Sequence, residues 1–302
     1  MSGATAPIGA GGATWLAVLA LLFNALAWGV SWWPLRQLQA AGLHPLWATA
    51  VTYAIVATAF VLWRPTTLRD VCRTPSLWVL LLASGFTNAA FNWGVTTGDV
   101  VRVVLLFYLM PLWTVLLARW LLREPLHGGA VWRVALAVAG ALVVLWPQGG
   151  GWPWPRDAGD WLGLAGGVSF ALNNVMLRRE SARAPQARAL AMFCGGALIA
   201  GATAVAGGSL GVATPLWGNT GAWLPLVLLL ALWFMASNLS LQYGAARLRA
   251  GTTAVVMVSE VLFASVSAVA LGAATLQPHT VTGGALIAAA ALLAAWQERR
   301  DR

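Results

Sequence analysis

Long apolar runs of about twenty residues, separated by short loops, divide nearly the whole of this 302-residue chain. A run of that length matches a helix that crosses the hydrocarbon core of a bilayer. With 60% apolar and 9% charged residues, the composition is that of an integral membrane protein rather than a soluble domain. The sequence therefore predicts an all-α polytopic membrane protein with ten transmembrane helices, over residues 15–35, 45–64, 76–98, 100–121, 128–147, 159–178, 186–207, 221–245, 250–272 and 278–297.

Basic residues are distributed unevenly between the two sides of this ten-span arrangement. Of the 18 basic residues, all arginines, three fall on one side: Arg36, Arg102 and Arg156. The others fall on the opposite side, at Arg64, Arg69, Arg73, Arg119, Arg123, Arg133, Arg178, Arg179, Arg183, Arg188, Arg247, Arg249, Arg299, Arg300 and Arg302. Because positive loops stay in the cytoplasm, the pattern predicts that both termini are cytoplasmic. The arginines mark the ends of apolar runs, so the net charge of +9 indicates an anionic lipid surface as partner and no nucleic acid.

No connection between the predicted helices is long enough to hold a second domain. The longest connections, 148–158 and 208–220, are predicted to be external. Two cysteines, Cys72 and Cys194, cannot define a disulfide framework. The segment 1–13 lacks the basic region of a cleavable signal peptide. Function is therefore expected within the helix bundle itself.

The second half of the chain repeats the first half at an offset of about 150 residues. The correspondence joins Thr87-Asn88 to Ser237-Asn238, and Asn92-Trp93-Gly94 to Gln242-Tyr243-Gly244. In the first helices of the two halves the offset shrinks to about 144, which is consistent with an insertion or deletion. The pattern predicts a duplicated unit.

The duplication divides the chain into a five-helix repeat over 1–147, an external connecting loop over 148–158, and a second five-helix repeat with a cytoplasmic tail over 159–302. Because five is an odd number, the second repeat enters the membrane inverted. Inverted repeats related by an axis in the membrane plane are typical of secondary transporters, whose binding site lies near the middle of the bilayer between the copies. This arrangement predicts transport by alternating access and identifies no substrate.

Several short motifs resemble the EamA-type branch of the drug/metabolite transporter superfamily: Trp28-Gly29, Tyr108-Leu109-Met110-Pro111, Leu122-Arg123-Glu124-Pro125 and Arg178-Arg179. The likeness covers nearly the whole chain, and within that branch the chain is most similar to the YddG-type bacterial exporters of aromatic amino acids. The resemblance implies a ten-helix exporter with cytoplasmic termini and a central cavity between the repeats. The chain departs from the family at Ser259-Glu260-Val261, where Glu-Pro is frequent, and at Ala274, where a second copy of the Glu124 motif would fall.

Glu260 is the only charged residue well inside a predicted span. A carboxylate at that depth is unfavourable unless it is protonated, paired or facing water. Two interpretations stay open. Glu260 either lines a cavity, where it binds a substrate ammonium or carries a proton, or it is a protonated carboxyl that forms a hydrogen bond between helices.

Amide side chains form a second set of polar groups within the spans: Asn24, Asn88, Asn92, Asn173, Asn174, Asn238 and Gln242. Asn88 and Asn92 are four residues apart, as are Asn238 and Gln242, so each pair shares a helix face. Facing each other across the cavity, these amides are predicted to hold the carboxylate and ammonium of a zwitterion. The alternative for each amide is an interhelical hydrogen bond, worth about 0.6 kcal/mol on average in one membrane protein.

Deep aromatic side chains complete the predicted substrate-binding residues: Trp28, Trp93, Tyr108 and Tyr243. Trp93 and Tyr243 occupy equivalent positions in the two repeats, beside the paired amides. A flat apolar wall next to amides would bind an aromatic amino acid by stacking and ring-edge contacts. An ordinary packing role is the alternative for each ring.

A membrane enzyme and a passive channel are the rival function classes. The three histidines lie near span ends in separate loops, and Gly149-Gly150-Gly151 lacks the Lys-Ser/Thr of a phosphate loop. Channels usually assemble around repeated filters, whereas an inverted pair with a single acid suits alternating access better. The sequence therefore predicts neither enzyme activity nor a metal or other cofactor.

We expect an exporter in the bacterial cytoplasmic membrane that moves small zwitterionic metabolites, above all aromatic amino acids, through a cavity formed by spans one, three, four, six, eight and nine. A multidrug or other small-metabolite exporter of the same superfamily is the alternative. The sequence is compatible with proton-coupled and with downhill transport, and it favours no oligomeric state or resting conformation. Pro34 and Pro111 are expected to bend their helices. Asp99 and Arg102 are expected to form a local ion pair beside an external turn.

Overall fold

The computed structural model describes residues 10–122, 128–146, 152, 154–209, 211, 213, 220–245, 247 and 256–300. Within this part of the chain the protein is entirely helical and has no strand, which confirms the predicted all-α class. The helices are α1 (Ala10–Val30), α2 (Trp32–Ala40), α3 (Pro45–Trp63), α4 (Thr66–Arg73), α5 (Pro75–Thr97), α6 (Val100–Phe107), α7 (Met110–Leu122), α8 (Gly128–Leu145), α9 (Ala158–Arg179), α10 (Pro185–Ser209), α11 (Thr220–Ala245), α12 (Ser259–Ala270) and α13 (Pro278–Arg300). The Arg123-Glu124-Pro125 motif and the start of the predicted ninth span, 250–255, lie outside the described residues.

Five helical stretches are long and apolar enough to cross a membrane by length and composition: Trp15–Ala40, Pro45–Trp63, Val100–Leu121, Pro185–Ser209 and Gly221–Gly244. Two shorter apolar helices accompany them, Val134–Leu145 and Ser259–Ala270. Helices α5 and α9 have 23 and 22 residues, enough to cross a bilayer, but they carry asparagine, serine or threonine among their apolar residues. These lengths fit a polytopic membrane protein.

Two of the predicted spans are interrupted directly after a residue that lies four positions before a proline. Helix α1 ends at Val30, four residues before Pro34, and α6 ends at Phe107, four residues before Pro111. Proline has no N–H, so it cannot bond the carbonyl four residues earlier, and its ring crowds that carbonyl. Each helix therefore stops where its next hydrogen bond is missing.

Helix packing joins the first half of the chain to the second. Helix α5 packs against α9 and α10, while α11 packs against α1 and α3. Helix α1 also packs against α12, and α9 packs against α6 and α7. The remaining major contacts are α3 with α10 and α8 with α13. In every one of these pairs, one helix precedes residue 150 and the other follows it, so the halves are interleaved.

Glycines permit the closest of these helix approaches. A Cβ atom at Gly140 of α8 would lie 2.7 Å from the carbonyl oxygen of Gly283 on α13, and one at Gly283 would lie 2.6 Å from the carbonyl oxygen of Gly140. Backbone-to-backbone contact of this kind is how small residues allow membrane helices to associate without a hydrophobic driving force.

Candidate functional site

A cavity lies between the two halves of the chain. Its described lining comes from α1, α3, α5 and α6 of the first half, and from α9, α10, α11 and the start of α12 in the second. Water centres can occupy about 100 Å³ of it, whereas one water needs roughly 10–15 Å³ on that measure, so it can hold several waters or a small molecule. The lining residues are Asn24, Trp28, Tyr53, Ser84, Thr87, Asn88, Phe91, Phe107, Phe170, Asn173, Met192, Phe193, Phe234, Asn238, Leu241, Met257 and Glu260.

Half of the predicted binding residues line this cavity: Asn24, Trp28, Asn88, Asn173, Asn238 and Glu260. They come from five helices that are far apart in the sequence. Asn88 and Asn238, which occupy equivalent positions in the two repeats, are both among them. The cavity therefore brings together polar groups that the sequence could only place on separate spans.

Three predicted residues of the first half lie outside the lining. Asn92 is fully buried and donates from Nδ2 to Thr49 Oγ1 at 3.0 Å, so it joins α5 to α3. Trp93 packs edge-on against His44, with ring centroids 5.6 Å apart. Tyr108 is not among the lining residues but forms hydrogen bonds with two of them, Glu260 and Met257.

The other three predicted residues outside the lining belong to the second half. Gln242 donates from Nε2 to Asn238 Oδ1 at 2.7 Å and so supports a lining residue from behind. Tyr243 lies under the guanidinium of Arg247, whose Cζ is 3.7 Å from the ring centroid. Asn174 is half-buried beside the lining residue Asn173. The expected wall of Trp93 and Tyr243 beside the amides is therefore not part of the described lining.

Glu260 takes part in a hydrogen-bonded group that depends on an interruption in the helix. The Tyr108 hydroxyl lies 2.8 Å from Glu260 Oε2 and 2.9 Å from the carbonyl oxygen of Met257. In a continuous helix that carbonyl would accept from Val261, but the Val261 N–H donates to Val258 instead. The turn at Val258 thus frees a backbone acceptor for Tyr108, and the tyrosine holds the buried Glu260 side chain in place.

Aromatic rings form most of the apolar wall. Trp28 stacks on Phe234 with centroids 4.8 Å apart. Phe107 contacts Phe91 at 4.8 Å and Phe170 at 5.1 Å. These contacts make a wall from α1, α5, α6, α9 and α11 that can meet a flat ligand by stacking or edge contacts.

Several lining residues were missed by the sequence analysis. Ser84, Thr87 and Phe91 lie at positions i, i+3 and i+7 of α5, on the same face as the predicted Asn88 at i+4. That spacing was a usable signal. Spans two and seven also line the cavity, through Tyr53 of α3 and residues 192–193 of α10, in addition to the six spans expected.

The expected ion pair between Asp99 and Arg102 is wrong. The Arg102 guanidinium pairs with Asp160 of α9, with Nη2 2.6 Å from Oδ2 and Nε 3.0 Å from Oδ1. Asp99 instead caps α6 by accepting the backbone N–H of Arg102 at 2.9 Å. A cap of this kind satisfies an otherwise unbonded N–H at a helix start, which leaves the arginine side chain free to reach the neighbouring helix.

Comparison with known proteins supports a transporter. Residues 15–146 match the EamA-like transporter family. No curated protein sequence matches the chain. One solved crystal structure aligns over 94% of this chain and 98% of its own length, with a TM-score of 0.59 and 20% identity, and this likeness shows the fold.

The apolar helices and the family match together identify a multi-pass membrane protein whose matched part is similar to transporters of small metabolites. Within the described residues, no group of three or more His, Cys, Asp or Glu side chains could hold a metal ion.

Proposed function

We propose that this chain is a secondary transporter that exports small metabolites, foremost aromatic amino acids, across the bacterial cytoplasmic membrane. The substrate binds in the cavity between the halves, and rocking of one half against the other exposes that cavity to each side in turn. The observation that carries the proposal is the cavity itself, which is lined by both halves and combines rings, amides and one carboxyl.

The pattern of helix packing supports two repeats, over 1–147 and 159–302, joined by an external loop at 148–158. In these repeats α1 corresponds to α9, α3 to α10 and α5 to α11. If the halves are equivalent, the contacts of α5 with α9 and α10 should have counterparts in contacts of α11 with α1 and α3, and both sets of contacts are present. The contact of α1 with α12 becomes that of α9 with α6 and α7, while the α3–α10 and α8–α13 contacts map onto themselves.

This exchange symmetry is what a two-fold relation between the halves requires. With five spans in each repeat, the relation makes the second repeat inverted, with ten spans in all and both termini in the cytoplasm. The equivalent amides Asn88 and Asn238 then face one shared substrate from opposite halves. Inverted repeats with a site between them are the arrangement of many alternating-access carriers.

Counterflow in proteoliposomes tests this function. Liposomes that contain the purified protein and internal unlabelled tryptophan are diluted into radiolabelled tryptophan. We expect saturable uptake that internal tryptophan, phenylalanine or tyrosine stimulates, because a carrier returns loaded more readily than empty. Protein-free liposomes are the control. Flux that rises linearly with concentration and shows no stimulation would indicate a pore instead.

An exporter of cationic drugs is the second candidate, and Glu260 favours it because this residue supplies the only formal charge in the described lining. Addition of an aromatic cationic dye to the same assay distinguishes the two. If the dye is carried and none of the three amino acids is carried or competes, the amino-acid assignment is wrong and the multidrug function replaces it.

A further inference from the structure

The hydrogen-bonding groups in the cavity are unevenly divided between donors and acceptors. Asn24, only 1% exposed, donates from Nδ2 to both the carbonyl oxygen and the hydroxyl of Ser237, at 2.9 and 2.7 Å. A carbonyl can only accept, so this contact fixes which end of the amide faces Ser237. The Asn24 Oδ1 atom is buried and has no hydrogen-bond partner within the described structure.

A second unpartnered acceptor lines the same cavity. Asn173 is also 1% exposed, and its Oδ1 atom has no partner within the described residues. Glu260 adds a buried carboxyl from a third helix, oriented by Tyr108. Buried acceptors without partners are rare and unfavourable, and a ligand with several N–H groups would satisfy them.

Donors in the cavity are mostly committed to the protein. The Nδ2 group of Asn88 donates to the Ser84 carbonyl at 2.8 Å, and the Tyr53 hydroxyl donates to Asn88 Oδ1. The Thr87 hydroxyl donates to the Ala83 carbonyl. The side-chain N–H groups of Asn173 and Asn238 remain as amide donors, and both are neutral. A ligand carboxylate would therefore meet no positively charged partner among the described lining residues.

Two arginines of the first half are also occupied. Arg102 is held by Asp160 and by the carbonyl of Val144. Arg36 donates to the carbonyls of Val95 and Gly98. A carboxylate placed in the cavity would lose its water, find no basic residue among the described lining residues and face the carboxyl of Glu260, which is an unfavourable combination.

Resting on the proposed transport function but not on its preference for amino acids, we infer that the cavity selects aromatic monoamines that lack a free carboxylate over zwitterionic aromatic amino acids. The ammonium meets Glu260 and the unpartnered oxygens of Asn24 and Asn173. The ring meets the aromatic wall, whose faces also attract a cation. The aromatic amino acids are then weaker ligands of the same site.

Three indole compounds that differ in one group test this selectivity on the purified full-length protein in detergent. Tryptamine has the amine alone, tryptophan has both groups, and indole-3-propionate has the carboxylate alone. Isothermal titration calorimetry measures the Kd of each. We expect tryptamine to bind about tenfold tighter than tryptophan, because both ligands bring an ammonium to Glu260 but only tryptophan also buries a carboxylate without a partner. We expect indole-3-propionate not to bind.

Tryptophan that binds as tightly as tryptamine, or indole-3-propionate that binds as tightly as either, overturns the selectivity. Failure of all three to bind overturns it as well. Counterflow of tryptophan is measured separately, so saturable flux with the wrong order of Kd values leaves the transport function standing and rejects only the amine preference.

Two variants locate the preference in the cavity. Glu260→Gln keeps the side-chain size and removes the charge, and we expect it to weaken tryptamine binding about tenfold while the Kd of tryptophan changes much less. Asn173→Leu removes an unpartnered oxygen while it keeps the number and branching of the side-chain heavy atoms, and it should weaken tryptamine binding by a smaller factor. The matched control is Thr52→Val, because Thr52 Oγ1 is likewise buried and unpartnered within the described residues but lies outside the lining. For Thr52→Val, the ratio of the Kd of tryptophan to the Kd of tryptamine should match that of the wild type. A change in this ratio equal to that of Asn173→Leu would contradict the assignment.

Discussion

The ion pair of Arg102 and Asp160 is the most fully bonded charged contact that joins the two halves within the described structure. Its side chains are 10% and 2% exposed, and Asp160 also accepts the backbone N–H of Arg156. We predict that Asp160→Asn lowers the free energy of unfolding by about 3–5 kcal/mol, because the buried guanidinium loses its counter-charge. The measurement is the melting temperature of the purified protein in detergent.

The double variant Arg102→Met with Asp160→Leu is the control for this prediction. It replaces both charged side chains with apolar side chains that fill the same space, so it should be less destabilised than either single variant. A double variant that melts as low as Asp160→Asn would show that the lost hydrogen bonds, rather than an uncompensated charge, cause the effect.

At the scale of single residues, the sequence could not distinguish an amide that lines the cavity from one that is turned toward a neighbouring helix. Asn88 and Asn92 are one turn apart, and the sequence placed both in the cavity. Four residues rotate a helix by about 40° beyond a full turn, so the second amide already turns toward α3. There the Nδ2 group of Asn92 donates a hydrogen bond to the hydroxyl of Thr49. The position of Thr49 depends on how α3 packs, which no pattern within α5 contains.

At the scale of helices, the break before Pro34 tests whether an interrupted span matters for transport. Pro34→Ala restores an N–H that can bond to the Val30 carbonyl and would make α1 and α2 continuous. We predict that the variant melts no lower than the wild type, while tryptophan counterflow slows several-fold because a bend point is lost. Melting in detergent and initial rates of counterflow measure the two effects.

Pro45→Ala is the matched control. Pro45 is the first residue of α3, where a backbone N–H has no partner within the helix, so replacement of Pro45 by alanine should leave the rate unchanged. If Pro34→Ala also transports at the wild-type rate, the interruption at Ser31 has no role in the cycle.

The helices show which structural features their sequence determines. Length and hydropathy predicted helices at the observed places, since a segment such as Pro45–Trp63 has the length and composition of a bilayer span. The interruption after Phe107 follows from Pro111 and was expected as a bend. The turn at Val258, at the equivalent position in the second half, contains no proline. Its cause is tertiary, since the Tyr108 hydroxyl takes the Met257 carbonyl that the turn releases.

At the scale of the whole molecule, the sequence predicted a duplication, which stays a prediction; the packing of the described helices is compatible with it, because the contacts map onto one another when the halves are exchanged. The contacts themselves could not be predicted. An offset of 150 residues says which helices are equivalent, but it does not say that α5 packs on α9 rather than on α6. The cavity forms only where side chains from eight segments meet, and no single segment carries its pattern.

The number of membrane crossings decides whether the halves are inverted, and cysteine labelling can measure it. In the proposed topology, α4 and the turn before α10 both face the cytoplasm, whereas the end of α10 is external. Cys72 and Ser181 are exposed in the first two places, and Ser209 is exposed in the third. Single-cysteine proteins are made by retaining Cys72 alone, or by adding Ser181→Cys or Ser209→Cys to a Cys72→Ser, Cys194→Ala background.

We predict that a membrane-impermeant maleimide labels Cys72 and the cysteine at 181 only in inside-out vesicles, and the cysteine at 209 only in right-side-out vesicles. Four crossings separate the first two positions when α5, α6 with α7, α8 and α9 all span, so these positions share a side. If only the five most apolar stretches crossed, one crossing would separate them and they would label from opposite sides. That result would remove the inverted repeat, because the two halves would then contribute unequal numbers of spans and no two-fold axis could relate them.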